Sequence, residues 1–273
     1  MFAAVLVNAM EPIPDRFKTG GFAIGAQAWS FRLFTAYDAV EKNAQAGGRV
    51  IEFFPGQTLS PDATNKRWDH NASDDAIAAM QTKLVSHGMK AVNYGVVGIP
   101  NDEAKARVIF DFAKKMGIRA ITTESTGSID VIEKLVKEYD IAVGFHNHPR
   151  KDKDPNYKVW DPNYILSVVS NRDLRIGAAP DTGHWIRSGL KPLECLRILS
   201  GRLISIHLKD LNTNAANAHD VPYGTGVSDI RSLLDELKRQ NFQGNISIEY
   251  EYNWNNNVPE ITMCIDFVRT NTR

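Results

Sequence analysis

Ile141-Ala142-Val143-Gly144-Phe145-His146-Asn147-His148-Pro149 is the stretch on which the fold turns. Its first five residues are apolar or small without alternation, the pattern of a parallel strand covered on both faces. Two imidazoles follow at once, and Pro149 ends the run. The same unit, a short β-branched run and then a longer amphipathic stretch, recurs along the chain. The predicted strands are 22–28, 49–53, 90–94, 120–123, 141–145, 175–179, 203–207 and 245–248. The predicted helices are 37–45, 74–87, 102–116, 129–138, 162–169, 192–199, 229–240 and 259–269. Ser128 and Ser228 are expected to cap helix N-termini, and Gly88 and Gly117 stand where helices hand over to strands. Eight βα units with right-handed crossovers close most simply into a single-domain α/β fold, the (β/α)8 or TIM barrel. A doubly wound open sheet is the weaker alternative: Gln27-Ala28-Trp29-Ser30 stands where a glycine-rich phosphate loop would follow the first strand.

The 273 residues fit one such barrel, and 43% hydrophobic content fills its core. Lys plus Arg equals Asp plus Glu, 32 each, so no global field draws the protein to nucleic acid or to an anionic membrane. Two cysteines, Cys195 and Cys264, make no disulfide framework and are expected to pack on helices facing the sheet. No stretch approaches the ~20 apolar residues of a membrane span. Residues 1–20 are expected to be an N-terminal arm or a signal remnant, and 21–273 the catalytic barrel. Phe2–Met10 is apolar but lacks a basic flank, which leaves a cytoplasmic and a periplasmic location equally open.

Catalytic groups of such barrels project from the C-terminal strand ends. Glu124 follows the fourth strand, His146 and His148 the fifth, and Asp181, His184 and Trp185 the sixth. His207 and Lys209 end the seventh, and Glu249 and Glu251 the eighth, while the first three ends carry only Glu52. Period-two geometry puts His146 with His148, His207 with Lys209, and Glu249 with Glu251 on common sides. Taken singly, Glu124, Asp181 or Glu249 would serve equally as a helix cap or salt-bridge partner. His70, His87 and His219 read as structural. Five loaded ends in a row read as a site. Oxygen and imidazole donors without a thiolate suit Mn²⁺, Mg²⁺, Co²⁺ or a catalytic Zn²⁺.

The pieces Gly144-Phe-His-Asn-His-Pro149, Asp181-Thr-Gly-His-Trp185, His207-Leu-Lys-Asp210, Tyr223-Gly-Thr-Gly226 and Ser247-Ile-Glu-Tyr-Glu251 resemble the sugar phosphate isomerase/epimerase group, the xylose-isomerase-like barrels. The likeness runs from Phe22 to nearly the end. It implies one divalent metal ion held by a Glu, an Asp, a His and a final Glu; Asp181, His207 and Glu249 match the last three. His184 matches a substrate-contacting histidine. The first ligand departs from the family pattern: His146 stands where relatives carry Glu, and Lys151 stands where a related branch supplies one. Either His146 coordinates or Glu124 reaches in, and Glu124 is preferred for charge balance. His148, with Glu249 and His146, is then expected to carry acid/base chemistry. Lys209, His184, Trp185, Glu52 and Glu251 are expected at the substrate, with Trp29 and Phe54 as stacking partners.

The reaction so implied is proton abstraction beside a carbonyl through an enediolate on a small-molecule carbohydrate, giving isomerisation or epimerisation. The alternative is elimination by a keto-sugar or 3-keto-glycoside lyase or dehydratase, a reading that the histidine-rich fifth strand favours. Two other classes are a non-catalytic sugar-binding barrel and an apurinic endonuclease; surplus titratable groups weigh against the first, and neutral charge with few ligands against the second. A phosphorylated substrate would need a basic or N–H-rich pocket, for which Gly224-Thr225-Gly226 and Arg150, Lys151 and Lys153 are the candidates. A neutral sugar is the expectation. The resemblance also implies a homo-oligomer.

Overall fold

The computed structural model describes residues 11–272; Phe2–Met10, with the question of a signal remnant, lies outside them. Eight parallel strands form the barrel: β1 (Ala23–Ala26), β2 (Val50–Phe53), β3 (Lys90–Tyr94), β4 (Ala120–Thr123), β5 (Ala142–Phe145), β6 (Ile176–Ala178), β7 (Ile206–Leu208) and β8 (Asn245–Ile248). Strands β2 to β6 pair in sequence, and β7 pairs β8, which pairs β1. Single bridges close the ring, Gln27 to Glu52 between β1 and β2, and Ala178 to Leu203 and Asp181 to His207 between β6 and β7. The ring is an α/β TIM barrel. The last of those bridges holds two expected ligands side by side.

The outer layer comprises α1 (Ala36–Gln45), α2 (Asp74–Ser86), α3 (Glu103–Met116), α4 (Ile129–Tyr139), α5 (Pro162–Val169), α6 (Thr182–Arg187), α7 (Pro192–Ile198), α8 (Ile230–Arg239) and α9 (Val258–Asn271). Helix α3 shows why they form. The Asp102 carboxylate accepts the Lys105 N–H, and Gly117, at φ 66°, ends the helix in a conformation that a Cβ would strain. Ala106, Ile109, Phe110, Ala113 and Met116 recur at three- and four-residue spacing and are buried against the barrel. Truncating the fully buried Phe110 to Ala would cost about 3–5 kcal/mol. Cys195 and Cys264 are buried on α7 and α9, as expected.

Two expected caps are corrected. The Ser128 hydroxyl donates to Ile99 O, tying the start of α4 to a neighbouring loop instead of capping it. Ser228 accepts the Leu211 N–H, and Asp229 caps α8 through Ser232 N. The alternation did not reveal α6, nor two short antiparallel hairpins at 57–58/67–68 and 210–211/220–221. These pieces are too short for periodicity to register.

The N-terminal end of the barrel is plugged by Ile13, Ala23, Val50 and Val92, with Phe17 against them, and by Ala120, Ala142 and Ile204. Thus part of the expected N-terminal arm belongs to the barrel floor. Above the floor the interior turns polar: Asn93 donates to Ser205, Thr122 to Asn93, Asn245 to Ser247, and Ser247 to Glu52, all buried. A register shift between Ile51 and Glu52 re-aims the strand at this layer.

Candidate active site

His146, Asp181 and His207 meet above that polar layer, each with one donor or acceptor taken by the fold and another turned to the centre. His146 donates its backbone N–H to Thr123 O, which sets it beside the end of β4. Its Nδ1 lies 3.2 Å from Ala179 O; a carbonyl only accepts, so Nδ1 carries the proton and Nε2 keeps its lone pair. Burial, joined by the nearby His207 and His148, pushes this imidazole down to about 3, so it is neutral. His207 Nε2 lies 3.0 Å from Glu52 Oε2, and its Nδ1 has no hydrogen-bond partner. Burial opposes charge on His207, but Glu52 and Glu249 outweigh it and raise its pKa. Asp181 Oδ1 accepts the His184 N–H at 2.8 Å, capping α6, while Oδ2 is buried without a hydrogen-bond partner. Asn147 braces the pair of strand ends, accepting from Asp181 N and donating to Asp181 O.

The Lys209 ammonium lies among the carboxylates, hydrogen-bonded to Glu251 at 2.6 Å and ion-paired with Glu249 at 2.9 Å and Asp181 Oδ2 at 3.1 Å, the last two outside hydrogen-bonding geometry. Burial disfavours its charge; the carboxylates more than compensate and raise its pKa. They are ionised in return: despite burial, Lys209 and His207 hold Glu249 well below the usual carboxylate range. Gly183 makes room for this lysine, because a Cβ there would sit 2.9 Å from Lys209 Cδ. Glu251 extends the chain outward, accepting from Trp29 Nε1 at 3.3 Å, and Arg187 spans His184, Asp220 and Glu251.

A second arrangement flanks the first. His148 Nδ1 is 2.7 Å from Glu124 Oε1, which also accepts from Tyr157 OH at 2.8 Å. Burial works against charge on His148, yet the Glu124 hydrogen bond and carboxylate raise its pKa above the ordinary histidine value. Its ring stacks on His184, centroids 5.0 Å apart, and its side chain is 47% exposed, so it faces solvent where His146 does not.

The residues named from sequence therefore converge, with two departures. Trp185, expected against substrate, is 1% exposed and belongs to the hydrophobic core. Its position on α6 turns the indole inward. Glu52, expected against substrate, lies fully buried beneath His207, bonded to that imidazole and to Ser247. The loop 223–226 offers no anion pocket, since the Gly224, Gly226 and Ser228 N–H groups all donate to the Asp210 carboxylate. Arg150 is paired with Asp152. Arg187, Tyr157 and Asn147 also serve the site. Arg187, one helical turn beyond His184, was legible in principle; Tyr157, in a loop without periodicity, was not.

Three overlapping groups bring their ligand atoms within 4.8 Å of one another: His146, His148 and His184; His146, Asp181 and His207; Asp181, His184 and Glu249. The two orphaned atoms, Asp181 Oδ2 and His207 Nδ1, and the all-N/O donor set fit a divalent cation. His146, His148 and His207 each present one nitrogen while the other is held by a carbonyl or carboxylate, the usual outer support of metal-binding imidazoles; the Nδ1 of His184 instead meets Arg187.

No described helix is long and apolar enough to cross a membrane. Among solved structures, an uncharacterized protein from Parabacteroides distasonis ATCC 8503 is 31% identical, with a TM-score of 0.73 over 90% of this chain and 97% of that one. A D-allulose 3-epimerase from Methylomonas sp. shares the fold at 15% identity, TM-score 0.69, over 91% and 97% of the two chains. Inosose dehydratase from Clostridium tetani (strain Massachusetts / E88) is 24% identical over 145 residues, 45% of each protein. The chain spans about half the length of the curated relatives it matches. The relatives with assigned activities are enzymes, epimerases and a dehydratase among them. Residues 40–266 match the model of the xylose isomerase-like TIM barrels, and the chain belongs to that family.

Proposed function

We propose that this protein is a divalent-metal-dependent sugar lyase or dehydratase that removes a proton α to a carbonyl and expels an oxygen at the β-carbon. The observation that carries this reading is the convergence of one ligand atom without a hydrogen bond each from His146, Asp181 and His207, the last 3.4 Å from ionised Glu249, flanked by the His148–Glu124 pair. His146, Asp181, His207 and Glu249 would hold the ion. Glu124, preferred on charge balance from sequence, instead has Oε1 engaged by His148 and Tyr157, and it is in none of the groups whose ligand atoms converge, which supports His146 as the fourth ligand. When bound, a divalent ion supplies Lewis acidity to the substrate carbonyl and its neighbouring hydroxyl.

The remaining chemistry falls to the chain. Glu249, kept deprotonated by Lys209 and His207, takes the α-proton. His148, kept protonated by Glu124, gives its proton to the departing oxygen; a raised imidazole pKa suits an acid working near neutrality. Lys209 and neutral His184 orient substrate oxygens, and the stacked His148 and His184 rings wall the approach. The similarity to an inosose dehydratase supports elimination. Isomerisation or epimerisation shares the first step and returns the proton to carbon; it is favoured by the presence of two oppositely poised groups, ionised Glu249 and protonated His148.

The test is proton NMR in D₂O with Mn²⁺-loaded protein and a panel of ketoses, inososes and 3-keto-glycosides. Loss of a hydroxyl or glycosidic oxygen identifies a lyase. Deuterium α to the carbonyl with every oxygen retained identifies an isomerase or epimerase. Stoichiometric metal without exchange on any substrate would contradict both and favour a binding role.

A further inference from the structure

We infer that Arg32 is a receptor for an anionic group, a carboxylate or a phosphate, on the part of the substrate remote from the reacting carbon. The inference rests on the sugar-processing reading above for the rest of that substrate. A 3₁₀ turn, Ala28–Phe31, follows β1, and Arg32 caps it with its N–H on Trp29 O. Gln27 fixes the turn, accepting from Trp29 N and donating to Gly95 O at 2.6 Å. Trp29 then reaches the active centre with one edge, through Nε1 to Glu251, whose other oxygen meets Lys209. Over the same indole lies the Arg32 guanidinium, Cζ 4.9 Å from the Trp29 centroid and 3.7 Å from that of Trp254. Phe54 packs edge-on against Trp29 and stiffens the wall.

A guanidinium 3.7 Å over a ring centroid lies nearly flat on it, so its in-plane N–H groups point away from the aromatic partners. Stacking of this kind fixes the planar fork before a ligand arrives. Among the described residues, no carboxylate lies within 4.0 Å of the Arg32 guanidinium and no hydrogen bond leaves its side chain, although the residue is exposed. The other cations near the site are engaged. Lys209 meets three carboxylates, Arg187 meets Asp220 and Glu251, and Arg150 meets Asp152. The N–H groups of the 224–228 loop are held by Asp210. Lys151, 4.0 Å over Tyr157, and the exposed Lys153 are the remaining candidates; each is a point charge on the 150s loop and lacks the fork that matches a planar anion. The expected substrate is an acidic sugar, not the neutral one anticipated from sequence.

The test titrates D-glucuronate, D-glucose 6-phosphate and D-glucose into the Mn²⁺-supplemented full chain, with Arg32→Gln and Lys151→Gln beside wild type. The readouts are calorimetric affinity and the NMR cross-peak of the Arg32 Nε–H. The Arg32 cross-peak is expected to move with one or both anionic sugars and not with glucose. The anion-over-neutral preference, about tenfold for a charge-assisted pair at low salt, is expected to vanish in Arg32→Gln and persist in Lys151→Gln. A larger response to glucuronate identifies a carboxylate; a larger response to the phosphate ester identifies a phosphate. An Arg32 cross-peak indifferent to both anions, or a preference lost in Lys151→Gln instead, overturns the inference. Metal content is read alongside: a protein that binds no metal but still moves the Arg32 cross-peak contradicts the proposed chemistry and leaves the anion receptor standing.

Discussion

At the N-terminal end of the strands, Ile13, Ala23, Val50 and Val92 close the barrel with small and branched apolar side chains. At the C-terminal end of the same sheet, His146, Asp181, His207, Lys209 and Glu249 bring imidazoles, carboxylates and an ammonium into one buried cluster. The two poles are joined by the same strands, so their difference is a division of labour along each strand. The floor gains from transfer of apolar area out of water, about 25 cal/mol per Å². The mouth carries charges whose desolvation is costly and which are held by one another and by a few neutral donors such as the His184 N–H on Asp181. Ion pairs occur at the floor too, at the start of β6, where Arg175 meets Asp173 and Asp140; these are open to water on one side. The comparison teaches that burial alone does not mark a stabilising residue. Ile24 and His207 are equally inaccessible, yet one belongs to the core and the other to the chemistry.

Four substitutions would break or sharpen this contrast. The largest effect on folding is expected for Lys209→Met, which leaves Asp181, Glu249 and Glu251 without their shared cation. Metal-free protein should lose about 3–5 kcal/mol in urea denaturation, and added Mn²⁺ should restore part of it. Unchanged stability would mean that the carboxylates do not depend on Lys209. His148→Gln should lower turnover by about 10²–10⁴-fold while moving stability by less than about 0.5 kcal/mol, because a half-exposed acid adds little to the fold. Parallel losses of activity and melting temperature would instead make His148 structural.

Glu52→Gln is expected to weaken metal affinity about 10–100-fold, since Glu52 only orients His207 from below. A direct loss of sugar binding with metal affinity intact would restore the role anticipated for it from sequence. The smallest effect lies at the floor. Two hydrogen bonds from the Arg175 side chain lower the Asp173 carboxyl to about 2, from an unfolded value of about 3.9. A depressed carboxyl contributes stability that is present above the unfolded pKa and is lost as pH falls toward the folded value. Allowing for partial solvent screening, wild type should lose about 1 kcal/mol more than Asp173→Asn between pH 5 and about 2.5. Identical acid profiles would remove Asp173 from the account.

Much of the barrel was legible because its strands are unbroken apolar runs and its helices alternate with them. Lys90–Tyr94, Ala120–Thr123, Asn245–Ile248 and Pro162–Val169 fall where patterning puts them. The seventh strand does not: 203–207 was expected and Ile206–Leu208 observed, because only single bridges join it to β6. Period two correctly placed His146 with His148 and His207 with Lys209, since both residues of each pair face the cluster. What the pattern cannot carry is depth. Glu52 and Glu249 both close a strand with a carboxylate, but Glu52 sits one layer lower, where the inward side chains bond to each other. Nor does it carry the side-chain pairing that takes Glu124 toward His148 and Tyr157, which depends on a loop returning from residue 157.

The measurement that bears most directly on the account is calorimetric titration of Mn²⁺ into metal-stripped wild type, Glu124→Gln and His146→Gln. One ion per chain is expected for wild type, with affinity retained in Glu124→Gln and reduced at least about tenfold in His146→Gln. Binding abolished by Glu124→Gln and kept by His146→Gln would contradict the ligand set. Absence of binding to wild type would contradict the metal site altogether.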